Sequence, residues 1–329
     1  MREKVLITGA SGFIGYHLIE KAQNAGLEVY AAIRPSSDVS HLASLGVNYI
    51  TLGYSDTTKL QKDLEAVGFH YIIHAAGSTK AKTQADYDKV NAEFTRNLGI
   101  AAANAAMPLK KFLFLSSLAA IGPTGYNDPK PICELSKANP VTSYGKSKML
   151  AEKYLSELKL PLITLRPTAV YGPREKDIYI MFKTLNMGLE PYIGRGQQTF
   201  SFVYATDIAQ IAVDALRSNV ENKAYNVSDG GKYSRYELAD ITKSVLGKKT
   251  FRFHVPMGIV KVIASSLETM YAKSDKSPAI NREKLFELTA ENWFCSIDRI
   301  QADLGYEPRY NLEKGLTETI QWYKANKWL

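Results

Sequence analysis

Residues 5–15 read VLITGASGFIG, and this run constrains the fold more than any other feature of the chain. A β-branched segment leads straight into Gly9, Gly12 and Gly15, and then into an amphipathic stretch. The pattern predicts a strand, a tight turn and a helix start. Glycine serves where a backbone must turn sharply and lie close to a ligand. A helix N-terminus adds unpaired N–H groups and a positive dipole end, which suit a pyrophosphate. The chain is therefore expected to open on a dinucleotide site, with Gly9, Ser11, Gly12, Phe13, Ile14 and Gly15 as its cradle.

The first half continues as alternating strand and helix patterns. Strands are expected at 5–8, 28–33, 47–52, 71–74, 111–116 and 162–166, with helices at 13–25, 57–67, 86–106 and 143–158. Such βα units imply a doubly wound parallel sheet. Right-handed crossovers would then place ligands at the carboxyl ends of its strands. After Tyr171 the pattern loosens around Gly172, Pro173, Gly188 and Pro191, before a helix at 205–217, a strand at 224–227 and a last helix at 312–324. The expected organisation is a Rossmann-type domain over 1–172, to which 200–230 returns, and a smaller, mostly helical substrate lobe over 173–199 and 231–329.

Composition narrows the function classes. The two cysteines, Cys133 and Cys295, lie far apart with no CxxC, which argues against a disulfide scaffold or a zinc site. His17, His41, His70 and His254 form no metal-ligand spacing, so no metal is expected. The net charge of +8 suits an anionic ligand, but the lysines are dispersed without interleaved aromatics, so no nucleic acid is expected. No apolar run is long enough to span a bilayer. The first strand starts at residue 4 or 5 and leaves no room for a secretory signal, which points to the cytoplasm.

Tyr144 and Lys148 lie four residues apart, on one face of an expected helix. An ammonium beside a phenol favours the phenolate, and a phenol tuned downward can exchange a proton with an alcohol or carbonyl. Ser116 and Ser117 end an expected buried strand at the ligand crevice. Together with TGxxGxxG at the N-terminus, this set resembles the short-chain dehydrogenase/reductase superfamily. IIHAAG at 72–77, FLFLSSLAAIG at 112–122, LRPTAVYGP at 165–173, FVYATDIAQ at 202–210 and LGYEP at 304–308 resemble its extended, epimerase/dehydratase branch, in order along the chain.

The resemblance implies a role for each matching residue. Ser117 would be the catalytic serine, Tyr144 the general acid/base, and Lys148 the residue that holds the nicotinamide ribose. Asn91 would support the site. Ala75, Ala76, Gly77, Pro167, Thr168 and Val170 would line the cofactor. The two helices carrying Asn91 and Tyr144 would permit a homodimer. The region 256–273 suits a core-facing lobe helix, or a lip for a long apolar substrate or membrane surface. Arg195, Arg282 and Trp293 are candidate substrate contacts.

Two departures from the family pattern bear on the reaction. Where NAD-binding members end the second strand in a carboxylate, this chain has Ile33 and Arg34. Arg34 could grip a 2′-phosphate, with Ser37 adding a hydroxyl, or could stack on adenine. Near Gly53, Asp56 is the available carboxylate, displaced from the usual Gly-Asp position. Ser117 is followed by Leu118, Ala119 and Ala120, without the carboxylate pair of sugar-nucleotide dehydratases. The expected activity is an NADP(H)-dependent oxidoreductase acting on a small-molecule ketone, aldehyde or secondary alcohol. The pattern around Arg34 looks like the dihydroflavonol reductase/3β-hydroxysteroid dehydrogenase branch. The alternatives are a nucleoside-diphosphate-sugar epimerase with tightly bound NAD, and a nucleotide-binding protein without turnover.

Overall fold

The run ahead of Gly9 forms β1 (Lys4–Thr8), in which Val5, Leu6 and Ile7 are fully buried. Burial on both faces explains why the run is continuously apolar rather than alternating. The computed structural model of the chain describes residues 2–128, 130–271 and 282–329. α1 (Phe13–Asn24), β2 (Glu28–Ala32), a 3₁₀ turn and β3 (Asn48–Ile50) follow β1. Next come α2 (Thr57–Val67), β4 (Tyr71–His74), α3 (Gln84–Tyr87), a π-helical turn over Asp88–Glu93, and α4 (Phe94–Asn104). β5 (Lys111–Leu115), α5 (Ser143–Ser156) and β6 (Leu162–Pro167) complete the regular alternation.

Shorter elements follow: β7 (Ala169–Tyr171), α6 (Tyr179–Asn186), β8 (Leu189–Ile193), β9 (Thr199–Phe200) and β10 (Phe202–Tyr204). α7 (Ala205–Leu216), β11 (Lys223–Val227), β12 (Tyr233–Ser234), α8 (Glu237–Leu246) and β13 (Phe251–Val255) come next. The C-terminal part is mainly helical: α9 (Met257–Tyr271), α10 (Arg282–Thr289), α11 (Asp298–Leu304) and α12 (Leu312–Ala325).

The central sheet is parallel with order β11-β6-β5-β4-β1-β2-β3. Its order reverses between β1 and β4, and this switch point opens a crevice at the strands' carboxyl ends. One face packs on α1 and α7 through Leu18, Ile19, Ile208 and Ile211. The other packs on α2, α4 and α5 through Leu60, Leu64, Leu98 and Leu155. A separate aromatic core joins β7, α6 and α12 around Tyr171, Phe182 and Tyr323.

The structure corrects the expected elements in two places. The helix expected at 86–106 is broken by the π-helical turn, which carries buried Asn91. Such single π turns inside helices often mark functional sites, because the extra residue redirects a side chain. Of the two segments expected to return to the sheet, only the one at 224–227 does so. Residues 202–204 pair with β7 and Thr199–Phe200 with β12, in separate two-stranded ribbons.

Candidate active site

The glycine turn forms where β1 meets the crevice. Gly9 has φ +68°, and a β-carbon there would lie 2.6 Å from the Ala75 carbonyl oxygen. At Gly15 a β-carbon would lie 2.3 Å from the Gly9 carbonyl oxygen. The turn is closed by Gly12 N–H donating to Gly9 O at 3.0 Å. α2, α3 and α5 are capped by Asp56, Thr83 and Thr142 respectively, but α1 starts at Gly12 with no side-chain cap. Its first amides are thus left for an anion. Ser11, Gly12, Phe13 and Ile14 surround these amides, and the cradle fits the pyrophosphate of a dinucleotide.

Beside it, the loop after β4 meets the catalytic candidates. Asn91 is fully buried, accepts from Ser78 N–H at 2.7 Å, and donates to Ser78 O and Ser147 Oγ, both at 2.9 Å. A β-carbon at Gly77 would lie 3.2 Å from Asn91 Oδ1 and 3.5 Å from Lys148 Nζ. Lys148, buried, donates to Leu115 O at 2.9 Å, with its ammonium 4.7 Å from the centre of the Phe114 ring. The structure therefore brings Gly77, Asn91 and Lys148 together at the carboxyl end of β5.

The two serines separate cleanly. Ser116 is buried and donates to Glu152, which also accepts two hydrogen bonds from Arg166 Nε at 3.0 and 3.1 Å. Ser117 is half-buried and accepts from Ala119 N–H at 3.2 Å, and its hydroxyl lies near enough to the Tyr144 phenol to oppose that group's upward shift. Ser117 therefore lies toward the candidate tyrosine, Tyr144. Gly145 makes this possible, since a β-carbon there would lie 2.3 Å from Ala119 O. α5 can press against the Ser117 turn only with glycine beside the tyrosine.

One electrostatic expectation is corrected. Burial pushes the Tyr144 phenol up to about 12, and the hydrogen bond with Ser117 only partly opposes this. Burial also pulls the Lys148 ammonium down to about 8. The four-residue spacing gives the two groups one helix face, but burial, not the lysine, sets the direction of the phenol's shift. Burial thus favours the protonated phenol, the form that can donate to a carbonyl.

A buried polar chain, not singled out from sequence, supports the β4 loop. Thr8 Oγ1 accepts from Ala76 N–H at 3.1 Å and lies 2.7 Å from His74 Nδ1. His74 Nε2 lies 2.8 Å from Thr95 Oγ1, which donates to Asn91 O at 2.7 Å. Because Thr95 donates onward, its oxygen accepts from Nε2–H, and this fixes the neutral tautomer. Burial holds His74 down at about 3, against an ordinary 6.5. Between those values the unfolded chain binds a proton that the folded chain refuses. Stability should therefore fall with pH from 6.5 towards 3, by about 1.4 kcal/mol per pH unit from this residue. Denaturant unfolding should show a slope that grows from about half that value at pH 6.5 to nearly all of it by about pH 5, and His74→Gln should flatten it; equal slopes would remove His74 from the account.

The remaining candidates are spread over several elements. Arg34 has an exposed side chain, and its backbone is fixed by Ser37, whose hydroxyl accepts from Arg34 N–H at 3.2 Å. Asp56 is engaged as the α2 cap, accepting from Lys59 N–H at 3.0 Å. Pro167 and Thr168 sit at the end of β6, where Thr168 N–H donates to Val227 O at 3.0 Å, and Val170 lies in β7. Leu118, Ala119 and Ala120 form a buried apolar turn. Trp293 packs on that turn and donates to Glu287 O at 3.3 Å. Arg195 is exposed, while the side chain of Arg282 lies outside the described residues. Among the described residues no cluster of potential ligands could hold a metal, and no helix is long and apolar enough to cross a membrane.

Residues 5–228 match the NAD dependent epimerase/dehydratase family. The N-acetyl-alpha-D-glucosaminyl-diphospho-ditrans,octacis-undecaprenol 4-epimerase of Escherichia coli O157:H7 is 25% identical, over 98% of this chain and 96% of that protein. The ceramide reductase of Caulobacter vibrioides is 26% identical, over 100% of this chain and 96% of that protein. The Bordetella bronchiseptica enzyme WbmG, solved with NAD and UDP, superposes with a TM-score of 0.78 at 20% identity, over 99% of this chain and 96% of that one.

Proposed function

The chain belongs to the NAD dependent epimerase/dehydratase family, and from that premise we propose that it is an epimerase working with a retained nicotinamide dinucleotide on a diphosphate-linked sugar. The observation that carries this reading is the convergence of Ser117, Tyr144 and Lys148 beside an uncapped glycine cradle. The named epimerase among its relatives supports the choice of substrate class.

The glycine turn and the first amides of α1 would hold the pyrophosphate, and Lys148 with Thr168 would hold the nicotinamide half. When bound, nicotinamide supplies a hydride acceptor and donor at one ring carbon. Burial favours the Tyr144 phenol, which would donate to a carbonyl oxygen; the positive charge of oxidised nicotinamide beside it would favour the phenolate, which would take the proton of a carbinol. Ser117 hydrogen-bonds that oxygen and holds it in place. Presenting the transient ketone by its other face gives inversion with no net redox change. The apolar turn at Leu118, Ala119 and Ala120 offers no carboxylate for water loss, which sets dehydration aside.

The test incubates purified protein with UDP-hexoses and an undecaprenyl-diphosphate sugar. Inversion of one carbinol without change in nicotinamide absorbance is expected. Stoichiometric consumption of NADPH instead would overturn this reading.

A second reading, net reduction with NADP(H), is favoured by Arg34 where a ribose-binding carboxylate would stand. The named ceramide reductase is its counterpart among the relatives. If Arg34 grips a 2′-phosphate, Arg34→Glu should weaken NADPH binding by about 10–100-fold and spare NADH. Calorimetric titration with both cofactors checks this. Unchanged NADPH affinity would leave Arg34 as a stacking residue only.

A further inference from the structure

α9 is apolar on two sides. Val260 and Ala264 are buried against Leu285 of α10 and against Ile193 and Val255. Ile259, Val262, Ile263 and Met270 face outward; Val262 is 65% and Met270 75% exposed. α9 also carries Lys261 and Glu268, yet its outward apolar residues form an exposed patch of the kind that marks an interaction surface.

The exposed apolar side continues onto the ribbon below. Phe251, Phe253 and Val255 share one face of β13, since alternate residues point the same way. α9 covers only the Val255 end, which leaves Phe251 and its register partner Leu189 exposed on the same side. Lys248 and Lys249 lie one residue ahead of Phe251, separated from it by Thr250, and Lys261 lies between the outward residues of α9. All three lysines are exposed, and none has an ion-pair partner among the described residues.

Apolar residues flanked by unpaired lysines match an anionic lipid surface, whose acyl boundary takes the first and whose headgroups take the second. A second copy is the poorer fit, because a two-fold contact would set these lysines against the same three. The surface also lies one helix from the chemistry. α9 packs on α10, whose Glu287 carbonyl accepts from Trp293 at 3.3 Å, and Trp293 packs on Leu118 beside Ser117.

We propose that the outer face of α9, together with Phe251, docks this protein on an anionic membrane surface and opens its crevice beside the bilayer. The docking holds whether the enzyme inverts or reduces its substrate, and its test needs no turnover.

The test is sedimentation with vesicles of phosphatidylcholine, with and without phosphatidylglycerol. The wild type should sediment with the anionic vesicles, and added salt should release it. Combined Ile259→Ser, Val262→Ser and Ile263→Ser should weaken binding at least about tenfold. Combined Lys248→Glu, Lys249→Glu and Lys261→Glu should abolish the preference for phosphatidylglycerol. Both variants alter exposed side chains, and unchanged thermal melting and cofactor binding would confirm that they fold. A wild type that stays in solution with anionic vesicles overturns the proposal. So does equal binding by the serine variant. Light scattering that shows a dimer, dissociated by the serine substitutions, with no vesicle binding would assign the face to a second copy instead.

Discussion

Tyr144→Phe should lower the rate of proton-coupled hydride transfer by about 10²–10⁴-fold, the range for loss of a positioned general acid/base. Cofactor affinity should barely change. The ring keeps its edge-to-face contact with Tyr87, at a centroid distance of 6.3 Å, and only the hydroxyl that meets Ser117 is lost. Lys148 keeps its bond to Leu115 O, so the nicotinamide side of the crevice stays formed. Single-turnover kinetics with saturating substrate separates the chemical step from binding. A variant that loses cofactor affinity but turns over normally would make Tyr144 a binding residue, and would favour a nucleotide-binding role for the chain.

The second large effect is expected at Gly15. Its missing β-carbon would stand 2.3 Å from Gly9 O and 2.6 Å from Ala10 O, both backbone atoms in a tight turn. No side chain can swing away to make room, so Gly15→Ala must open the turn that presents the α1 amides. Overpacking of this kind costs about 1–3 kcal/mol of stability, and the loss of the cradle should remove most cofactor affinity. Gly258→Ala is the control, because a β-carbon there meets nothing within 4 Å. Thermal melts with and without cofactor check both variants. A Gly15→Ala protein whose melt and cofactor-induced shift match the wild type would contradict the cradle geometry.

Much of this site was legible in the sequence because it rests on local spacing. Three glycines after a β-branched run can do little other than turn into a helix, and the four-residue step from Tyr144 to Lys148 fixes a shared helix face. Ser117 and Asn91 are candidates through resemblance alone, since nothing local separates Ser117 from Ser116 beside it. That distinction comes from Glu152 and Arg166, which claim Ser116 from another helix and another strand. The chain from Thr8 through His74 to Thr95 was not legible, because its members meet only once the sheet and α4 assemble. The expectation of a lowered Tyr144 failed for a related reason. Spacing reveals which charge is near, whereas burial depends on everything packed around the ring. The π-helical turn likewise leaves no mark in a helical apolar pattern, which continues on either side of Asn91.

The central claim, that this crevice holds a nicotinamide dinucleotide for chemistry at Tyr144, is tested most directly by identifying what the purified protein carries. The protein is unfolded, and the released nucleotide is identified by chromatography and mass spectrometry. The same protein, stripped of nucleotide, is then titrated calorimetrically with NAD and NADP. The account predicts a nicotinamide dinucleotide released in stoichiometric amount and rebound by the wild type but not by Gly15→Ala. A protein that carries none, and that binds neither form once stripped, would contradict it.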